Sequence, residues 1–114
     1  MTLGKHALID IYEVDSNYID DIKEIEKIIK DCCLKANLHV IDSKFFKFEP
    51  MGLSGVVFLS ESHVAVHTWP EYHFISVDAF TCGEHMTPEI VCELIAKSLG
   101  SNNYNIKKID RGHF

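Results

Sequence analysis

Between Leu38 and Phe80 the chain holds four strand-like runs joined by connections of only a few residues. The runs are Leu38–Phe48, Ser54–Ser60, Val64–Trp69 and Phe74–Phe80, all rich in β-branched and aromatic residues. Glu49-Pro50-Met51-Gly52, Ser60-Glu61-Ser62 and Pro70-Glu71 punctuate them with turn residues. A parallel pair needs a crossover of roughly a dozen residues, so links this short make consecutive runs antiparallel.

The flanks supply the second layer. Residues 5–14 read as a first strand, with Ala7, Ile9 and Ile11 on one face and Asp10 interrupting the other. Residues 17–36 switch to the helical period. Tyr18, Ile22, Ile25, Ile29, Cys32, Cys33 and Ala36 make one apolar stripe, and the acidic and basic residues between them a solvated face. Ser16 or Asn17 is placed to cap this helix, and Asn37 to end it in a left-handed conformation. Thr87-Pro88-Glu89 opens a second helix, with Thr87 as cap, that Gly100 ends. Tyr104–Ile109 is a last strand, and residues 111–114 form a short tail.

The order β-α-β-β-β-β-α-β predicts an α+β fold. It is a two-layer sandwich whose mainly antiparallel sheet carries two helices on one face, in a single domain spanning 1–114. The uncovered sheet face needs shielding, which predicts a homodimer.

Composition narrows the function. A net charge of −6 argues against nucleic-acid binding, which needs a basic face. No apolar run approaches the roughly 20 residues of a membrane helix, and no signal-peptide core stands at the N-terminus, so the expectation is a cytoplasmic protein. Cys32, Cys33, Cys82 and Cys92 include no CxxC pair and read as free thiols.

Chemistry concentrates in Leu59-Ser60-Glu61-Ser62-His63-Val64-Ala65-Val66-His67-Thr68-Trp69-Pro70, where a hydroxyl, an acid and two histidines stand beside an apolar run. Strands avoid uncompensated polar groups, so this mixture calls for a reason. As purely structural residues, His63, His67, His73 and His85 are each unexceptional. As metal ligands, His63 and His67 share a strand face but stand roughly 13 Å apart, too far for one ion, and Cys82 and His85 do not close a site. A hydrolase built on Ser62 or Cys82 lacks the G-x-S-x-G elbow.

The run from Leu59 through Tyr72 resembles the self-processing segment of prokaryotic-type S-adenosylmethionine decarboxylase proenzymes. Leu3-Gly4-Lys5-His6 is similar to the family's N-terminal Leu-Gly-basic-His. Pro50-Met51-Gly52-Leu53-Ser54-Gly55 resembles its Pro-x-Gly-x-Ser-Gly turn, and Asp78-Ala79-Phe80-Thr81-Cys82-Gly83 its Asp-x-Phe-Thr-Cys-Gly. Together these motifs cover nearly the whole chain.

The resemblance implies autocatalytic cleavage of the Glu61–Ser62 bond into chains 1–61 and 62–114. The Ser62 hydroxyl attacks the Glu61 carbonyl, the resulting ester eliminates, and residue 62 loses its amine to become a pyruvoyl group. His67 is implied as the processing base and Ser54 as its companion, brought near the bond by the turn at Met51-Gly52. The pyruvoyl ketone would form a Schiff base with the substrate in place of pyridoxal phosphate, with no metal, and Cys82 would return the proton after decarboxylation.

The implied substrate is S-adenosylmethionine, feeding polyamine (spermidine) synthesis. Phe48, and with it His6 and Phe46, would line its pocket, and Glu71 would meet the ribose hydroxyls. Arginine or ornithine on the same scaffold, and an uncleaved inactive homologue serving as a dimer partner, are the alternatives. Met51 stands where many relatives have an aromatic residue and His73 where glycine is common. Asp10, Glu13 and His63 carry no assigned step.

Overall fold

The computed structural model describes residues 1–83 and 85–114. A six-stranded sheet carries three helices on one face. In chain order the strands are β1 (Thr2–Ile11), β2 (Val40–Lys47), β3 (Leu53–Leu59), β4 (Ser62–Trp69), β5 (Phe74–Cys82) and β6 (Tyr104–His113). The helices are α1 (Ser16–Ile19), α2 (Ile22–Lys35) and α3 (Glu89–Ser98), with a single 3₁₀ turn at Pro70–Tyr72. In space the strands run β2-β3-β4-β5-β1-β6, and every neighbouring pair is antiparallel. The two-layer α+β sandwich read from the sequence is the fold observed.

Alternation divides each strand between the faces. Ala7, Ile9, Ile11, Val57, Val64, Val66, Ile75, Val77 and Ala79 are buried under Ile25, Ile29, Cys32 and Cys33 of α2 and Val91, Cys92 and Ile95 of α3. Each large aliphatic side chain so buried stabilises the fold by about 1.5–3 kcal/mol. Among the described residues the opposite face carries no helix, and it exposes Phe46, Phe48, Phe58 and Trp69. Among the described residues no helix is long and apolar enough to cross a membrane.

Several boundaries differ from expectation: β1, read over 5–14, spans Thr2–Ile11, β5 runs on from Phe80 to Cys82, and four others have a local reason. The single helix expected over 17–36 is broken at Asp20-Asp21. Asp15 caps the first piece by accepting from the Asn17 N–H at 2.9 Å, and Asp21 caps the second by accepting from Glu24 N–H at 3.3 Å. Ser16 and Asn17 are therefore not the caps. The Asp20 carboxylate is drawn out of the helix by Gly52 N–H at 2.7 Å and Lys47 Nζ at 3.0 Å. At α3 the cap position is Pro88, with no side-chain capping bond from Thr87.

The expected tail at 111–114 is mostly strand: Arg111 pairs with Gly4 and His113 with Thr2, so the ladder to β1 carries β6 onward. Finally β4 begins at Ser62, two residues earlier than read, because Ser62 pairs with both Leu59 and Thr81. Asn37 does adopt the left-handed conformation at φ 62, and Leu38 N–H reaches back to the Cys33 carbonyl at 2.9 Å to close α2.

Candidate active site

The hairpin from β3 to β4 turns through Ser60 and Glu61 alone, and Ser62 leaves it at φ 146. A residue with a Cβ pays for that backbone region with about 1–3 kcal/mol of strain, so surrounding contacts must hold it. They come from His39, just before β2, and from Cys82, at the end of β5. Ser60 N–H donates to the His39 carbonyl at 2.9 Å. The Glu61 carboxylate accepts from the His39 backbone N–H at 3.0 Å and from His39 Nδ1 at 2.7 Å. Burial pushes the Glu61 carboxyl up, but these bonds from His39 pull it further down, and it sits below its ordinary value. The Glu61 carbonyl oxygen accepts from the Cys82 N–H at 2.8 Å. That N–H is the kind of donor that stabilises charge on a carbonyl under attack.

Cys82 ends β5 directly across from this turn, since Ser62 is in register with Thr81. Its thiol is exposed, whereas Cys32, Cys33 and Cys92 are buried. Burial raises all three of those thiols, Cys33 and Cys92 to about 12, which leaves them as small inert hydrophobes.

Ser54 and His67 face one another across β3 and β4, with Ser54 Oγ 2.8 Å from His67 Nδ1. They do not lie at the turn. Strand β3 runs away from the hairpin antiparallel to β4, so His67 and its partner stand five residues from Ser62, roughly 16 Å along the strand. Within one chain, the turn at Gly52 therefore carries Ser54 away from the Glu61–Ser62 bond, contrary to the sequence expectation.

The residues expected to meet substrate gather at that same far end. Phe46 pairs with Ser54 in the β2–β3 ladder, and its ring meets Phe48 edge-on at 4.9 Å. Glu71, in the 3₁₀ turn after Trp69, lines an open cavity of about 820 Å³ with Asp20, Lys47, Met51 and His73. His73 adopts φ 53 and its Nδ1 donates to the Val14 carbonyl at 3.1 Å, which explains a position where glycine would otherwise be at home. His6 instead lies at the near end, 3.3 Å from Asp78.

Two features escaped the sequence reading. One is His39, whose clamp on Glu61 spans 22 residues. The other is Asp78, noticed only as a motif letter, whose Oδ1 lies 3.5 Å from His63 Nε2 and 3.3 Å from His6 Nε2. Alternation on three strands would have put these side chains on one face, but only the sheet order makes β4, β5 and β1 neighbours. Among the described residues no group of three histidine, cysteine or acidic side chains is arranged to hold a metal ion.

The architecture is thus that of an antiparallel α+β sandwich whose polar side chains collect on the helix-free sheet face and at one strained hairpin. Comparison with known proteins gives it a family. The pattern described as S-adenosylmethionine decarboxylase matches residues 5–112. The S-adenosylmethionine decarboxylase proenzyme of Thermoanaerobacter sp. (strain X514) is 42% identical over 112 residues, covering 98% of this chain and 90% of that one. The proenzyme of the same name from Clostridium tetani (strain Massachusetts / E88) is 41% identical over 98% of this chain and 89% of its own. The crystal structure of the adenosylmethionine decarboxylase from Aquifex aeolicus VF5 superposes with a TM-score of 0.90 at 35% identity, over 99% of this chain and 93% of that one. The chain belongs to the S-adenosylmethionine decarboxylase family.

Proposed function

We infer that this chain is a proenzyme that cuts itself between Glu61 and Ser62 and then decarboxylates S-adenosylmethionine. The observation that carries the reading is the hairpin itself. A strained serine follows a carbonyl that already accepts a hydrogen bond from the Cys82 N–H at 2.8 Å. Attack by the Ser62 hydroxyl moves negative charge onto the Glu61 oxygen, where that N–H meets it. The acyl group passes from nitrogen to oxygen, the backbone strain at residue 62 is released, and the two products remain joined through the sheet as residues 1–61 and 62–114. Ester elimination then needs a base for the residue 62 α-proton, the role given to His67, which Ser54 orients.

The roughly 16 Å between that pair and Ser62 supports a sharing of roles between two copies. A second copy, packing its helix-free face on the first, would bring the partner's Ser54 and His67 to the bond. The exposed Phe46, Phe58 and Trp69 on this face supply apolar surface for such a contact. Phe48 and Glu71 lie at the same end as His67, so they would serve the partner's cleaved serine. The complete site is then shared: Ser62 and Cys82 from one protomer, and Ser54, His67, Phe48 and Glu71 from the other.

Water then displaces the nitrogen of residue 62 as ammonia, and the α-keto group left supplies the electron sink for decarboxylation. Its surroundings fit: an exposed thiol stands at the strand end beside residue 62, with no second reactive cysteine among the described residues to compete. Cys82 returns a proton to the substrate carbon after carbon dioxide leaves. Phe48 and Phe46 offer aromatic faces to the sulfonium and adenine, and Glu71 offers acceptors to the ribose hydroxyls.

Intact-mass measurement on the purified protein, with carbon dioxide release from S-adenosylmethionine, arginine and ornithine in parallel, tests the reading. Two fragments divided before residue 62 and release from S-adenosylmethionine alone are expected. One uncut chain overturns self-cleavage, and release from either amino acid overturns the substrate.

A further inference from the structure

Ser62, His63, Asp78, His6 and Arg111 form one polar series across four strands. Ser62 Oγ lies 3.4 Å from His63 Nδ1, and His63 Nε2 lies 3.5 Å from Asp78 Oδ1. The same oxygen is 3.3 Å from His6 Nε2, and His6 Nδ1 is 3.3 Å from Arg111 Nη1. The roles follow by elimination. A guanidinium only donates, so His6 Nδ1 accepts, and the proton of the neutral ring sits on Nε2, aimed at Asp78. A carboxylate only accepts, so His63 also directs an Nε2 proton at Asp78. His63 Nδ1 is thereby left with its lone pair facing the Ser62 hydroxyl.

Packing holds this arrangement. Phe80 stacks on His63 at 6.0 Å with 30° between the planes, and meets His6 edge-on at 5.4 Å. Gly4 makes room for it, since a Cβ there would fall 2.5 Å from Phe80 Cζ. Catalytic hydrogen bonds are commonly this long in a resting site and tighten on reaction.

We propose that His63 is the general base that takes the Ser62 hydroxyl proton in self-cleavage, with Asp78 setting its tautomer and His6 and Arg111 setting Asp78. The proposal rests on the self-cleavage reading and assigns the step that precedes elimination. As the proton passes to His63 Nδ1, Ser62 Oγ bonds to the Glu61 carbonyl carbon. The carbon–nitrogen bond then breaks, and the departing nitrogen of residue 62 takes the proton back from His63. An ester joins residue 61 to Oγ of residue 62, His63 is neutral again, and no other reactant is consumed. His67 is reserved for the later elimination.

The first step can be read by itself. In a His67→Ala background the ester cannot eliminate, and hydroxylamine cuts it, so hydroxylamine-dependent cleavage followed by mass reports ester formation. Adding His63→Gln should slow that cleavage by about 100-fold or more, and free imidazole should restore part of the rate to His63→Ala. Asp78→Asn should slow it similarly, and combining it with His63→Gln should slow it no further. In uncleavable Ser62→Ala protein, isotope-labelled histidine spectra should show His63 protonated on Nε2, and Asp78→Asn should shift that tautomer.

Cleavage of folded His63→Gln within about threefold of its parent overturns the proposal while leaving self-cleavage intact. An Nδ1-protonated His63 in the Ser62→Ala protein overturns it too, even where the other variants misfold. A wild-type chain that stays whole defeats the underlying reading instead.

Discussion

Cys82 meets the candidate site through two different atoms. Its backbone N–H meets the Glu61 carbonyl at 2.8 Å, while its thiol stands exposed at the end of β5. Cys82→Ala keeps the first and loses the second. It should therefore still yield the two fragments, seen by mass, while carbon dioxide release falls by about 10²–10⁴-fold. Failure to cleave would mean the thiol acts before the cut.

Glu61 gives a pH prediction of definite sign. Its folded-state carboxyl lies below the ordinary 4.5, with burial opposing the shift and the His39 bonds producing it. A depressed carboxyl stabilises the fold fully above its unfolded value and loses that contribution as pH falls through the lower folded value. Uncleavable Ser62→Ala protein should thus lose thermal stability on acidification below about pH 4.5, and His39→Ala should flatten the fall. Thr81 gives a stability prediction. Its hydroxyl is buried with no partner among the described residues, so Thr81→Val should raise unfolding stability by about 1 kcal/mol in denaturant titration.

Elements in this chain are positioned by a few polar ties as much as by apolar stripes. The break between α1 and α2 was not legible because Asp20 and Asp21 fall on the polar side of one continuous helical period. What separates them is distant: the Gly52 N–H that binds Asp20 lies 32 residues on, in the β2–β3 turn. Asp21→Ala removes only a cap and should cost about 1 kcal/mol of unfolding stability. Gly55 is a tighter constraint on the same hairpin. A Cβ there would land on the Phe45 ring, which packs against the core, so Gly55→Ala should cost about 1–3 kcal/mol through forced repacking. Chemical denaturation of both variants checks the pair, and Gly55→Ala should be the more damaging.

Across the whole molecule, the helix-free face separates the two halves of the proposed chemistry. Ser62 and Cys82 lie at one end of β4 and β5, and the Ser54–His67 pair at the other end of β3 and β4. A shared site makes a sharp prediction. Ser62→Ala and His67→Ala chains, each uncut when expressed alone, should form a mixed dimer when co-expressed. One site in that dimer is whole, and it cuts only the His67→Ala chain, which mass distinguishes. A confirmed mixed dimer that stays uncut would return His67 to its own chain, or remove it from processing.

Alternation, helical period and short connections are properties of neighbours along the chain, and so they determined the strands, the two-layer sandwich and the left-handed Asn37. The motif around Glu61-Ser62-His63 was equally local, and it marked the hairpin correctly. Partnerships across strands depended on the order of the sheet, which places β1 between β5 and β6. That order brings Arg111 to His6 and His6 to Asp78, whereas the distance of His67 from the Ser62 of its own chain follows from both lying on the one extended strand β4. Local preference decides which face a side chain takes; only the assembled sheet decides what it meets there.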